Sequence, residues 1–232
     1  KEKAAGFYLD PGALDYEGLA HVAHIFIEDV KQVTGAVMPF EHTWTDGPQM
    51  IAGTVGSCPA LDELVKAGAV DVSALEGKRE VFQIQLISHE GAEKLVIAGT
   101  ETIATLFGIY YISKKIGVSP WVYWADVKPA RQQEIVFDES IHFVSKQPSV
   151  KFRGFFMNDE WPSLGNFVMN TFGDFNEFFY EKVFDLLLRL NGNYFWPAMW
   201  SASLPLDGSE DPLAIIKLAT ALGITIGQSH HE

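Results

Sequence analysis

Three short segments in the second half of the chain determine its architecture: KFRGFFMND at residues 151–159, NYFWPAMW at 193–200 and ITIGQSHHE at 224–232. Each segment begins with or contains a short apolar and aromatic run, which predicts a β-strand. Two helical patterns separate these strands, the first of them over residues 174–190. The order strand, helix, strand, helix, strand predicts a parallel α/β barrel at its start, or an open parallel sheet.

The two helices in this part of the chain have start signals of their own. Asp174 followed by Glu177 three residues later forms a capping-box pattern. Asp211 is expected to cap the second helix, with Pro212 at its first position. The buried stripe of the first helix is expected at Phe175, Phe179, Val183, Leu186, Leu187 and Leu190.

Upstream of this part, helical and strand patterns also alternate. The predicted elements are a helix over 17–34, strands over 50–54, 81–87 and 94–100, and a helix over 101–116. The polar segment SKQPSV at 145–150 is a plausible boundary. The sequence therefore predicts an α/β domain over residues 1–145 and a second domain over 146–232.

Composition excludes several classes of protein. The chain has 232 residues, with 17 Lys plus Arg against 30 Asp plus Glu, so its formal net charge is −13. A hydrophobic fraction of 47% is typical of a globular protein. An acidic chain without a basic cluster favours neither nucleic acid nor an anionic membrane as a partner. Cys58 is the single cysteine, so no intrachain disulfide is expected.

Reactive and aromatic side chains follow each of the three predicted strands. Because the carboxyl ends of parallel strands meet at one face of a barrel, we expect these side chains to lie close together. Carboxylates there suit acid–base work or sugar hydroxyls, and indole rings suit the apolar face of a sugar. The candidates are Asn158, Asp159, Glu160, Trp200, His230, His231 and Glu232.

Several residues of this region also have an interpretation that involves no site. Asp159 and Glu160 are also consistent with capping a loop or turn. Trp196 is expected in the core, while Arg153 could donate hydrogen bonds to a ligand. His230 and His231 are adjacent, and adjacent strand residues point to opposite faces, so no metal site is predicted.

A second aromatic segment, SPWVYWADV, lies at residues 119–127. Trp121, Tyr123 and Trp124 either form core at a domain junction or form a platform beside the site. Length and periodicity do not separate these alternatives.

Several segments resemble glycoside hydrolase family 115, the xylan α-1,2-glucuronidases. These segments are GVSPWVYWADV, PSVKFRGFFMNDEWPSL, FYEKVFDLLLRLNGNYFWPAMW and GITIGQSHHE. Upstream segments such as LVIAGTET and GIYYISKKIGVSPW are similar to the N-terminal domain of that family. The resemblance extends over almost the whole chain.

The resemblance implies a fold, an activity and a set of residues. The fold is an N-terminal α/β domain followed by the first strands and helices of a TIM-type (β/α)8 barrel. The activity is inverting removal of glucuronic acid, or its 4-O-methyl form, from glucuronoxylan or its oligosaccharides, without a cofactor. The setting is secreted or periplasmic, and the assembly is often a homodimer. Carried over by position, the substrate-binding residues are Asn158, Asp159, Trp200, His230 and His231, and the catalytic candidates are Asp159, Glu160 and Glu232.

Two departures from the family pattern shape the expectation. A basic pair in the family's IAGSDKRG-like segment is replaced here by GTETIA at 99–104, around Thr102 and Ile103. Three strands also fall short of the eight in a closed barrel. The chain is therefore expected to be an N-terminal part of the enzyme and inactive alone. The alternative is a non-catalytic carbohydrate-binding or degenerate member of the family.

Overall fold

The computed structural model describes residues 5–197, Leu204 and residues 209–227. The chain divides into two compact units, residues 1–149 and residues 150–232. Each unit has its own sheet.

Unit one contains a six-stranded mixed sheet and three α-helices. In chain order its elements are β1 (Gly6–Tyr8), α1 (Tyr16–Thr34), β2 (Phe40–Glu41), β3 (Gln49–Thr54), α2 (Pro59–Lys66), β4 (Phe82–His89), β5 (Ala92–Gly99), α3 (Thr102–Lys115) and β6 (Phe143–Val144). The strand order is β2-β1-β3-β5-β4-β6. Strands β2, β1, β3 and β5 are parallel to one another, whereas β4 runs antiparallel to both β5 and β6.

Side chains alternate between the two faces of this sheet, and helices cover both. On one face Phe7 of β1 meets Phe26 of α1, with ring centroids 6.0 Å apart. Gly108 of α3 lies so close to Ile97 of β5 on that face that a Cβ atom would overlap it. The opposite face packs against α2 in one apolar cluster that includes Tyr8, Ile51, Leu61, Leu64 and Val96. Unit one is therefore a three-layer α/β/α arrangement.

The predicted elements of unit one are present, with differences of a few residues at their ends. The predicted helix 17–34 is α1, and its N-terminal part begins one residue earlier. Gly35 ends it at φ +81°, and its N–H donates to Lys31 O. The pattern did not predict β1 or α2, which are short.

One strand of unit one departs from its predicted alternation. The alternation of Val81, Gln83, Gln85 and Ile87 against Phe82, Ile84 and Leu86 predicts a half-buried strand. In the structure Gln83 is only 1% exposed. Its Nε2 donates to Asp71 O at 2.6 Å, whereas none of the described residues donates a hydrogen bond to its buried Oε1. The prediction of a half-buried strand is wrong at this position because a loop covers the polar face.

Unit two contains a three-stranded parallel sheet and three helices among its described residues. Its elements are β7 (Gly154–Phe156), α4 (Ser163–Phe172), α5 (Glu177–Arg189), β8 (Tyr194–Trp196), α6 (Ala214–Ala221) and β9 (Thr225–Ile226). The strand order is β7-β8-β9. In all the described parts of both units, no helix has the length and hydropathy needed to cross a membrane.

The start of α5 differs from the predicted capping box. Asn176, not Asp174, is the N-cap, and its Oδ1 accepts a hydrogen bond from Phe179 N at 3.2 Å. Glu177 does not fold back on the cap, because its carboxylate accepts a hydrogen bond from the Ser209 hydroxyl. The capping-box prediction is wrong because a residue distant in sequence takes up the Glu177 side chain.

Helix α5 covers one face of the three-stranded sheet. Phe195 of β8 is fully buried, with ring centroids 5.9 Å from Tyr180 and 5.6 Å from Phe184. Most of the predicted stripe is buried as expected, but Leu190 at the end of the helix is 45% exposed. The core of unit two therefore lies between α5 and β8.

Candidate functional site

The parallel sheet of unit two decides which residues share an edge. Register pairs Phe156 with Trp196, and Met157 N continues the ladder by donating to Trp196 O at 3.0 Å. On the other side of β8, Gly227 N donates to Phe195 O at 2.8 Å. The carboxyl-terminal ends of β7, β8 and β9 therefore lie at the same edge of the sheet.

Asn158 is oriented by its neighbour in the segment after β7. Its Nδ2 donates to Glu160 Oε1 at 2.6 Å, which leaves the Oδ1 atom pointing elsewhere. Oδ1 is buried, and none of the described residues donates a hydrogen bond to it. A buried acceptor without a donor costs about 1–3 kcal/mol. A hydroxyl or amide donor reaching this atom would therefore bind favourably.

The two neighbouring carboxylates have different surroundings. Asp159 is only 2% exposed, whereas Glu160 lies on the surface and is held by Asn158. A buried carboxylate is also compatible with the loop-capping interpretation of Asp159. A buried carboxyl at the strand edge is the kind of group that acid–base chemistry uses.

An indole side chain stands beside these carboxylates. Trp161 is 49% exposed and is joined to Pro162 by a cis peptide bond. Its ring lies where a Cβ atom of Gly165 would be, so only glycine fits at that position in α4. Gly165 N also donates to Glu160 O at 3.0 Å, which closes the turn. Trp161 is not among the site residues predicted from the sequence, although Gly165 four residues later is a signal of close packing.

The uncovered face of the sheet carries an aromatic pair. Phe156 and Trp196 are 44% and 37% exposed, with ring centroids 5.4 Å apart. The prediction that Trp196 lies in the core is therefore wrong, because α5 covers the opposite face. Tyr194 lies on the same face as Trp196, and its hydroxyl occupies the space that a Cβ atom of Gly227 would need. These rings are apolar surfaces of the kind that sugar rings contact.

Arg153 does not belong to this edge. It precedes β7, and its guanidinium donates to the carbonyls of Val150, Lys151 and Asn191 at 3.0–3.2 Å. Its own N–H donates to Asn193 Oδ1 at 2.8 Å. The expectation that Arg153 supplies a ligand contact is wrong, because the side chain holds the amino-terminal end of the sheet.

Four predicted site residues lie outside the described residues, namely Trp200, His230, His231 and Glu232. Their convergence with Asp159 stays a prediction. Within the described ranges, no group of three His, Cys, Asp or Glu side chains is arranged to hold a metal ion.

The segment that departs from the family pattern lies in unit one, after β5. Glu101 Oε1 accepts a hydrogen bond from Glu80 N at 2.6 Å, and Thr100 Oγ1 accepts one from Val81 N at 3.1 Å. Both side chains hold backbone groups at the start of β4. Residues 99–104 therefore have a structural role in unit one that requires no basic side chain.

The SPWVYWADV segment forms turns without a regular element. Trp121 is 46% exposed and Tyr123 is 38% exposed, whereas Trp124 is half-buried. The rings of Tyr123 and Trp124 meet at 90° with centroids 5.2 Å apart. The core interpretation is therefore wrong for Trp121 and Tyr123.

Comparison with known proteins adds a family to this geometry. Residues 145–232 match the model of Glycosyl hydrolase family 115. A similar solved structure is BtGH115A, described as a family GH115 4-O-methyl-alpha-glucuronidase with specificity for decorated arabinogalactans. The two chains are 29% identical with a TM-score of 0.79. The family resemblance inferred from sequence is confirmed.

The share of each chain that aligns is unequal. The alignment with BtGH115A covers 98% of this chain but only 29% of that protein. The structure of CpGH84D aligns with a TM-score of 0.51 at 10% identity, over 97% of this chain and 33% of that one. This second likeness concerns the fold alone. No curated protein matches the chain.

Proposed function

We propose, on the premise that residues 145–232 carry the sequence of glycoside hydrolase family 115, that the protein is a glycoside hydrolase of the α-glucuronidase type. It removes α-1,2-linked glucuronic acid, or its 4-O-methyl form, from polysaccharide side chains. The observation that carries the proposal is the buried carboxyl of Asp159 at the carboxyl edge of a parallel sheet, between Asn158 and the exposed Trp161.

The three strands of unit two are, in this proposal, the first strands of a (β/α)8 barrel. Helix α5 covers the outer face of β8, as the helices of such a barrel do. The face with Phe156 and Trp196 would then point to the barrel interior, and the edge after the strands would be the active-site face. The likeness to BtGH115A over 98% of this chain supports this arrangement.

The proposed mechanism is inversion by two carboxyl groups. One carboxylic acid protonates the leaving oxygen, while a carboxylate about 6.5–9.5 Å away activates a water molecule on the opposite face of the sugar. Asp159 is the described residue best placed for one of these roles, because it is buried at the site edge. Glu160 donates no proton in this scheme and positions Asn158 through their hydrogen bond. Glu232 stays a candidate for the second carboxyl group.

The substrate class follows from the family and from one relative. Xylan carrying glucuronic acid is the first candidate. Decorated arabinogalactan is a second candidate, because BtGH115A is specific for it and is 29% identical to this chain. Both are extracellular polysaccharides, which supports a secreted or periplasmic location. A homodimer is the proposed assembly, and light scattering of the purified protein tests it.

The test is release of uronic acid by the protein at its natural length. Glucuronoxylan oligosaccharides and glucuronic acid-decorated arabinogalactan oligosaccharides are incubated separately, and products are followed by chromatography and NMR. Inversion predicts that the β-anomer of glucuronic acid appears first from the α-linked substrate. Release of the α-anomer first would contradict the inverting mechanism. Release from neither substrate would contradict the hydrolase proposal.

Variants separate the roles of the two carboxylates. Asp159→Asn should reduce kcat about 10²–10⁴-fold if Asp159 is the acid or base. Glu160→Gln keeps an oxygen that accepts from Asn158, so its kcat should fall less than about tenfold. Glu134→Gln changes an exposed carboxylate outside the site and serves as the control. Equal activity of Asp159→Asn and the control would remove Asp159 from the mechanism.

A non-catalytic carbohydrate-binding protein is the alternative function. It is favoured by the GTETIA sequence at 99–104, where the family resemblance expects a basic pair. Under this alternative the oligosaccharides bind, but neither releases uronic acid. Binding without turnover by the natural-length protein would therefore favour it.

A further inference from the structure

A cavity in unit one has no part in the proposed hydrolysis. It has a volume of about 340 Å³ and lies between α2, the loop before β3 and the turn that joins β4 to β5. The side chains that give it chemical character are Tyr8, Trp44, Glu63, His89 and Glu90. This volume is at the lower end of the roughly 300–1,000 Å³ of small-molecule sites, so it suits a ligand of one or two rings.

Three aromatic rings meet at right angles at this cavity. The Trp44 ring lies 5.4 Å from Tyr8 at an angle of 84°, and 5.6 Å from His89 at 86°. Trp44 is half-buried, so part of its ring is available to a ligand. Perpendicular rings present apolar ring faces and polar edge groups at the same site. A sugar can contact such faces with its C–H groups and such edge groups with its hydroxyls.

Trp44 is held in place by a buried ammonium group. Lys94 Nζ lies 4.6 Å from the centroid of the Trp44 ring. The same Nζ donates to Thr45 O, Gly47 O and Gln49 Oε1 at 2.7–2.8 Å, and the Lys94 side chain is fully buried. The loop that carries Trp44 is therefore tied to β5, which lowers the entropy lost when a ligand binds.

The polar groups of the cavity are mostly acceptors. Glu63 and Glu90 are exposed carboxylates at its wall, and each can accept hydrogen bonds from two neighbouring hydroxyls. Burial, with Asp10 nearby, raises the pKa of the Tyr8 hydroxyl to about 12. Like any tyrosine, Tyr8 is protonated at neutral pH and can donate a hydrogen bond. Two carboxylates would repel a uronate. The cavity therefore favours a neutral ligand rich in hydroxyl groups.

We propose that this cavity binds a neutral sugar unit of the polysaccharide, through the Trp44 ring and the Glu63 and Glu90 carboxylates. The choice of a saccharide rests on the proposed hydrolase function, whereas the cavity and its charge do not. The glucuronic acid branch is assigned to the strand edge of unit two and not to this cavity.

The test is direct binding, measured without turnover by ligand-observed NMR on the natural-length protein. The probes are xylotetraose, galactotetraose, free glucuronic acid and tetramethylammonium. One of the two neutral tetrasaccharides should bind, and Trp44→Ala should weaken it about tenfold or more. Glu63→Gln should weaken it about threefold to tenfold through one lost charge-assisted hydrogen bond.

Controls separate this site from other aromatic surfaces. Trp121→Ala removes an exposed indole outside the cavity and should leave binding unchanged. Ala67→Phe narrows the cavity at an exposed position of the helix end, and it should block binding if Trp44→Ala proves unstable.

Three results would overturn the proposal. The first is that neither tetrasaccharide binds. The second is that a tetrasaccharide binds but that Trp44→Ala and Ala67→Phe leave its binding unchanged. The third is that tetramethylammonium binds in a Trp44-dependent way and the sugars do not. Hydrolysis is measured in a separate experiment, in which the Asp159→Asn variant is compared with the unmodified protein. If the natural-length protein releases uronic acid but does not bind the tetrasaccharides, the proposal for the cavity is wrong. If it binds them through Trp44 but releases no uronic acid, the hydrolase proposal is wrong.

Discussion

Two polar residues show how burial assigns roles at the residue scale. Asp159 is buried at the strand edge while Glu160 remains exposed, although the two are adjacent in sequence. Lys94 lies in a strand of mostly apolar residues. It is buried because the carbonyl oxygens of Thr45 and Gly47, in the loop before β3, accept hydrogen bonds from its ammonium group. In both cases the surroundings, and not the residue type, determine what the side chain does.

Removal of the Lys94 ammonium should destabilise unit one. Lys94→Met keeps the aliphatic stem but removes the donor to Thr45 O and Gly47 O, and it leaves Gln49 Oε1 with Thr45 N as its remaining donor. We expect a loss of about 2–4 kcal/mol in the free energy of unfolding, measured by urea denaturation. Lys66→Met at an exposed position is the control and should change stability by less than about 0.5 kcal/mol. Similar losses in both variants would contradict the role of Lys94.

Cys58 should be unreactive in the folded protein at alkaline pH. Burial raises the pKa of its thiol to about 11, so at pH 9 the thiolate is a minor species in the folded state. An unfolded thiol with a pKa near 8.5 is mostly ionised at that pH. Iodoacetamide should therefore modify Cys58 far faster in 8 M urea than in buffer, as mass spectrometry at pH 9 would show. Equal rates would contradict the burial.

The linked effect on stability has a defined sign. Because the folded-state pKa is raised, the proton on Cys58 contributes stability that is fully present below about pH 8.5 and is lost as pH rises toward 11. Cys58→Ala should remove that part of the pH dependence between these values. If the unfolding free energy of Cys58→Ala depends on pH as steeply as that of the unmodified protein, other groups are responsible for the pH dependence.

Helix α5 shows how long-range contacts alter an element. The sequence contains two acceptable caps, Asp174 and Asn176, separated by one residue. The structure uses Asn176, because the hydroxyl of Ser209 takes up the Glu177 carboxylate that a capping box would need. The start of the helix is therefore set by a segment more than thirty residues later in the chain.

Substitutions at the two caps should have unequal effects. Asn176→Ala removes the acceptor for Phe179 N and should cost about 1 kcal/mol of unfolding free energy. The matched variant Asp174→Ala loses only the contact of its Oδ1 with Phe175 N, outside the helix, and should cost less. Chemical denaturation of both proteins measures the difference. A larger loss of unfolding free energy in Asp174→Ala than in Asn176→Ala would support the capping-box prediction instead.

At the scale of the whole molecule, the two units have separate cores and separate sheets. Phe195 and α5 form the core of unit two, while the six-stranded sheet and its three helices form unit one. The chain spans 29% of the length of BtGH115A. The described sheet of unit two has three strands, and Phe156 and Trp196 remain exposed on one face.

Residues 1–232 produced alone should therefore release no glucuronic acid at an enzymatic rate. With an uncovered sheet face the site stays in contact with water, which weakens electrostatic stabilisation of the transition state. The measurement compares uronic acid release from xylan oligosaccharides by these residues and by the natural-length protein. Equal turnover would show that unit two needs no further strands for catalysis.

Local patterns by themselves determined the type and order of most elements. The apolar stripe of α1, its Gly35 stop and the buried runs of β3 and β5 are visible in neighbouring residues, since the periodicities of helix and strand are local. The expectation that Asn158, Asp159 and Glu160 lie at a sheet edge follows from the same reasoning. The resemblance to the family also came from sequence.

Tertiary structure alone decided which side chains face which neighbours. Alternation places Trp196 and Phe195 on opposite faces, but only the packing of α5 shows that Trp196 is the exposed one. The burial of Asp159 and of Lys94, and the choice of Asn176 as the cap, likewise depend on groups far away in sequence. The physical reason is that burial and hydrogen bonding are set by contacts across the fold, which no local pattern of residues contains.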